Sequence, residues 1–137
     1  MFFCCHFLPF KAVDSTLRAI LGLKEGRYRE VITLREVCEN VGVSRRAVQG
    51  YERAGLVTPT GRNERGHLLY NQSEQEKIRQ IKFFQEMGFS IKEIKDMSGA
   101  PKHVVKAAIE RRIDALWLEI DRKENVIEMA QELLKQF

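Results

Sequence analysis

Cysteine is scarce: three residues in 137, two of them adjacent (Cys4, Cys5) and one alone (Cys38). That excludes a disulfide framework and any CxxC metal spacing, and it fits a reducing cytosol. Proline and glycine are also few, 3 and 9, which excludes collagen-like, proline-rich and globally disordered readings. No apolar run approaches the roughly 20 residues of a membrane helix. The opening stretch MFFCCHFLPF is apolar but short. It has no basic segment before it, and Lys11, Asp14 and Arg18 follow without a good cleavage site, so neither a secretory leader nor a membrane partner is expected. Catalytic grammar is missing too. His6, His67 and His103 fall in separate elements, with no serine or cysteine in a nucleophile elbow and no glycine-rich phosphate loop. The expectation is a cytoplasmic protein that is not an enzyme and carries no cofactor.

What is present is a globular composition, 44% hydrophobic and 31% charged, with 23 Lys and Arg against 19 Asp and Glu, a formal charge of +4. The isoelectric point near 9.1 suits an acidic partner. The charge is uneven. From Pro101 to the end there are seven basic and seven acidic residues, so the whole excess lies in the first hundred residues. That part is the candidate polyanion binder.

Helix starts recur. Thr33 with Glu36, Ser73 with Glu76 and Ser90 with Glu93 each read as a capping box, and Pro101 opens a last helix. Between the first two boxes, Gly42 permits a tight turn and Ser44 caps a short helix ending near Ala54-Gly55, so helix, turn, helix is predicted. Residues 56–70 cluster Pro59, Gly61, Asn63 and Gly66 between short apolar pieces, turn chemistry that predicts a two-stranded wing with a basic loop. Ile78, Ile81 and Phe84 mark an amphipathic helix closed at Gly88, and Phe89, Ile91 and Ile94 begin a short one packed back on it. Ile78, Ile81, Phe84, Phe89 and Ile94 are assigned to the core, as is Cys38.

The C-terminal part repeats every seven residues. Ile113, Ile120, Ile127 and Leu134 form one row; Ile109, Leu116, Ala130 and Phe137 form the complementary row, broken by Lys123. A helix from about residue 102 to 136 would run about 50 Å at 1.5 Å per residue, too long to bury its stripe on so small a body. It needs a second chain, with Ile109, Ile113, Leu116, Ile120, Ile127 and Leu134 at the seam. The expected fold is mainly α: an atypical extension over 1–29, a winged helix-turn-helix domain over 30–99 and a coiled-coil dimerisation helix over 100–137. Within the extension, residues 12–23 are weakly helical by pattern. Cys4, Cys5 and His6 are adjacent on a terminal segment and poorly spaced to close a tetrahedral metal site.

The chemistry concentrates between Ser44 and Arg65, which hold five arginines (45, 46, 53, 62, 65) and two glutamates. A short helix displaying Arg45, Arg46, Gln49 and Arg53 behind a glycine turn suits the DNA major groove, where Arg forks onto guanine and Gln pairs with adenine.

With these residues in place, the run from Val31 to about Met97 resembles the DNA-binding domain of the MerR (mercury-resistance regulator) family. The resemblance rests on GVS, YERAGL, the wing glycine and tyrosine of Gly66-x-x-x-Tyr70, and MGFS at their relative spacing. It implies an antiparallel coiled coil joining two winged domains that bend and untwist promoter DNA, with RNA polymerase as a further partner. It places Arg46 and Tyr51 at DNA-contacting positions and Gly66 and Tyr70 where the wing is shaped. Gln49 and Gly50 stand where the family has Arg and Tyr, and His67-Leu68 replace its wing Tyr-Arg, leaving Arg62 and Arg65 to supply charge. The candidate DNA-binding set is therefore Ser44, Arg45, Arg46, Gln49, Tyr51, Arg53, Arg62, Arg65 and His67. The family's metal sensors carry cysteines on and after the long helix, and this chain has none beyond Cys38, so metal sensing of that kind is disfavoured. A small-molecule effector near Trp117 and a role for Trp117 in dimer packing both stay open. The other reading is a DNA-architectural or excisionase-like protein, against which the heptads argue.

Overall fold

The computed structural model describes residues 31–137. Their order is β1 (Val31–Thr33), α1 (Leu34–Val41), α2 (Arg45–Arg53), β2 (Gly61–Arg62), β3 (Leu68–Asn71), α3 (Gln72–Glu86), α4 (Ile91–Ser98) and α5 (Lys102–Leu134). Two compact units emerge, one ending at Gly99 and the other spanning Ala100–Phe137. The expectations for the segment before Val31 lie outside the described residues.

Two of the three capping boxes form as read. Thr33 and Ser90 accept from the backbone of Glu36 and Glu93, whose side chains reach back to the cap amides, satisfying donors that a helix start leaves open. The third box does not form. Asn71 caps α3 instead, its Oδ1 accepting from Glu74 N–H at 3.0 Å. Starting there lets Glu74 accept from Thr58 N–H at 2.9 Å and lets Gln75 Nε2 donate to the Tyr70 carbonyl at 2.9 Å. These bonds, the one to Thr58 reaching back 16 residues, decide between two equally good local caps.

The wing is larger than its own hairpin. β1 joins it to make an antiparallel sheet in the order β1-β3-β2, with Ile32 opposite Tyr70 and Arg62 opposite Leu68. β1, only three residues long, puts Ile32 into the core with Val37, Val48 and Tyr70. Ile78, Ile81, Phe84 and Ile94 are buried as expected. Phe89 is only half-buried, its ring set edge-on to Phe84 with centroids 5.8 Å apart. It lies beyond the end of α3, where Gly88 turns the chain with φ +100°. Cys38 is likewise half-buried, and that burial raises its thiol pKa.

In the second unit, α5 runs 33 residues. Ion pairs along its surface, Lys106 with Glu110 at 3.7 Å and Arg112 with Glu119 at 3.3 Å, decorate the polar side. One apolar row stays open, with Ile113 46%, Ile127 55% and Leu134 72% exposed, whereas Ile109 and Leu116 of the complementary row are half-buried in the single chain. No helix among the described residues is long and apolar enough to cross a membrane.

Candidate nucleic-acid interface

The turn that presents α2 is built from Gly42 and Ser44. Gly42 holds φ +72° and donates to the Cys38 carbonyl at 2.9 Å. That left-handed conformation favours glycine, and an added Cβ would also lie 3.2 Å from Lys82 Nζ. Lys82 donates to the Val41 carbonyl at 2.9 Å, placing a cation at the C-terminal end of α1, where the helix dipole welcomes it. Ser44 then caps α2 by accepting from Ala47 N–H at 3.0 Å.

Helical geometry divides α2 into two faces. At roughly 100° per residue, Arg45, Arg46, Gln49 and Arg53 fall within one arc, and all four are exposed. Val48 and Tyr51 lie on the opposite side, at 0% and 1% exposure. Tyr51 thus departs from its expected role. Its ring is in the core and its hydroxyl donates to Gln85 Oε1 at 2.6 Å, so it supports the helix from behind and offers no exposed edge to a nucleic acid. Arg53 Nε donates to the Gln49 carbonyl at 3.3 Å, which lays that side chain along its own helix.

The wing turn is organised by Asn63. Its Oδ1 accepts from the N–H groups of Arg65 and His67 at 3.0 and 2.9 Å, and its own N–H donates to the His67 carbonyl at 3.0 Å. Gly66 sits at φ +78°. Arg62 Nη1 donates to the Gly66 carbonyl at 2.7 Å, so this arginine both closes the turn and adds charge. Arg65 and His67 are exposed.

Behind both surfaces lies a set of polar contacts that the sequence pattern did not reveal. Tyr70, fully buried, donates its hydroxyl to Glu52 of α2. Burial, with the Glu52 carboxylate as hydrogen-bond partner and neighbouring charge, pushes the phenol pKa far above its usual value near 10. Burial raises Tyr51 as well. Lys77 pairs with Glu74 at 2.6 Å where both are largely buried. The partners are 18 residues apart for Glu52 and Tyr70 and 34 for Tyr51 and Gln85, beyond any local signal. Among the described residues no group of three or more His, Cys, Asp or Glu is arranged to hold a metal ion.

The assembled unit matches known proteins. The HTH-type transcriptional activator mta of Bacillus subtilis (strain 168) is 33% identical over 95 residues, which is 69% of this chain but 37% of that protein. The chain therefore spans little more than a third of that relative's length. The crystal structure of MtaN, the N-terminus of the Bacillus subtilis multidrug transporter activator, superposes with a TM-score of 0.58 at 31% identity, covering 75% of this chain and 97% of that one. HiNmlR, a MerR family regulator lacking the sensor domain and bound to promoter DNA, shares the fold with a TM-score of 0.61 at 18% identity over 72% of this chain and 79% of its own. Residues 32–100 match the description of the MerR HTH family of regulatory proteins, and the chain belongs to that family.

Proposed function

We propose that the chain binds double-stranded DNA as a homodimer and regulates transcription by distorting promoter DNA. The observation that carries this reading is the exposed arc of Arg45, Arg46, Gln49 and Arg53 on a helix whose other side is locked into a core. A cylinder of that kind enters the major groove and presents both bidentate donors and an amide to base edges. Arg62, Arg65 and His67 on the wing supply a second contact surface suited to phosphates. Ser44 adds its hydroxyl at the positive end of α2, where a phosphate is favoured.

Dimerisation is supported by α5. A helix of this length with an open apolar row leaves Ile113, Ile120 and Ile127 for a second copy to cover, beside a half-buried Leu116, and heptad spacing is the pattern two helices bury between them. Two recognition helices related by two-fold symmetry read inverted half-sites. HiNmlR was crystallised on promoter DNA, which supports the same partner here, with RNA polymerase acting at the distorted promoter. Trp117, 66% exposed in the single chain, is available either to pack in the dimer or to meet a small-molecule effector beside the coil.

Selection of duplexes from a random pool with the purified chain, followed by footprinting, tests it. A two-fold symmetric site protected over both half-sites is expected. A single protected half-site sinks the dimeric regulator in favour of an architectural binder, and no enrichment at all sinks DNA reading altogether.

A further inference from the structure

We infer that Glu52 is a positioning residue: by accepting the Tyr70 hydroxyl, its carboxylate fixes α2 against the wing so that both surfaces meet one duplex as a rigid pair. This rests on the DNA-binding reading above. Glu52 is an acidic residue in the last turn of the arginine-bearing helix. Its charge opposes a phosphate backbone, and long-range electrostatics alone would favour its removal. The bond it makes supplies a reason for its presence. Tyr70 is a fixed reference point, fully buried, paired through its backbone with Ile32 and held at its carbonyl by Gln75 Nε2 at 2.9 Å. Two residues back along β3, Leu68 pairs with Arg62, so the basic turn is a rigid continuation of the strand that carries Tyr70. The adjacent residue Tyr51 ties the same helix to α3 through Gln85. Consecutive positions about 100° apart therefore moor α2 to two different elements, and the Glu52 bond links it to the wing's central strand.

The proposal predicts effects of opposite sign from charge and from clamp, which three single variants of the full chain separate. Glu52→Gln keeps an acceptor for the Tyr70 hydroxyl and removes the charge. Glu52→Ala removes both, and Tyr70→Phe removes the bond and keeps the charge. Affinity is measured by titration of a duplex selected from a random pool by the wild-type chain and of a mixed-sequence duplex of equal length, with circular-dichroism melts reporting folding. Glu52→Gln should bind both duplexes at least as tightly as wild type. Glu52→Ala and Tyr70→Phe should lose about tenfold on the selected duplex, while Glu52→Ala holds or gains on the mixed one. Should Tyr70→Phe fail to fold, the Glu52→Ala and Glu52→Gln pair still decides. Glu52→Ala binding the selected duplex as well as Glu52→Gln does overturns the clamp. A wild-type chain that enriches no duplex overturns instead the DNA-binding reading beneath it.

Discussion

Arg46 and Arg62 are both exposed arginines in the same basic segment, yet their surroundings assign them different work. Arg46 extends from the open arc of α2 with no partner among the described residues to hold it back, which suits a fork onto a base. Arg46→Ala should cost about 1 to 3 kcal/mol on a selected duplex and much less on a mixed one; equal losses on both would reduce it to a phosphate contact. Arg65→Ala should weaken all sequences alike and lower the salt slope by about 1. Arg62→Ala should do the same and also loosen the turn, because Arg62 closes it through the Gly66 carbonyl. Gly50 offers a gain. Inside a helix, glycine costs roughly 0.5 to 1 kcal/mol relative to alanine, and a Cβ there would meet only Ile91 Cδ1 at an ordinary 3.8 Å. Gly50→Ala should raise the urea midpoint accordingly, and a fall would mean α2 cannot accept the methyl. Tyr70 adds a pH dependence. Its folded pKa lies above the unfolded value near 10, so its contribution is complete below pH 10 and is lost as pH rises toward the folded pKa, because the unfolded phenol ionises first. Stability should fall as pH rises above about 10, and Tyr70→Phe should shrink the fall; an unchanged slope would rule Tyr70 out as its source.

At the scale of elements, what could be read in advance was what is local. Thr33, Ser44 and Ser90 find their cap partners three residues on, so composition and spacing reveal them. Asn71 and Ser73 show where that reasoning stops: each is followed three residues later by glutamate, and only the reach of Gln75 to the Tyr70 carbonyl and of Glu74 to Thr58 selects Asn71. Asn71→Ala should therefore cost about 1 kcal/mol of stability and Ser73→Ala almost nothing; the reverse order in denaturant melts would restore the cap at Ser73. β1 escaped notice for a related reason. Three residues hold less than two periods of alternation, and their pairing partner is nearly forty residues away. The exposed half of the candidate site, the arginines and Gln49, was visible in the spacing of residue types along one helix. The half-buried part, Glu52, Gln85 and Lys82, depends on tertiary contacts, and so does the withdrawal of Tyr51 into the core.

For the whole molecule, the open row of α5 sets the decisive test. Ile120 and Ile127, 45% and 55% exposed in the single chain, fall on one heptad row near the middle of the seam. Replacing both by aspartate would place unpaired carboxylates where a second copy should bury aliphatic groups, a far greater cost than lost contact. The Ile120→Asp, Ile127→Asp chain should sediment as a monomer with its winged unit still folded around Ile78, Ile81 and Phe84. It should lose binding to a two-half-site duplex while keeping weak, salt-sensitive association with any DNA. A dimer that survives the change would move the interface elsewhere. The sheet order carries one more consequence, a mechanical one. Because β1 lies antiparallel on β3 with Ile32 opposite Tyr70, a pull applied at Val31 loads the wing's central strand in shear, along the ladder that holds Tyr70 in register.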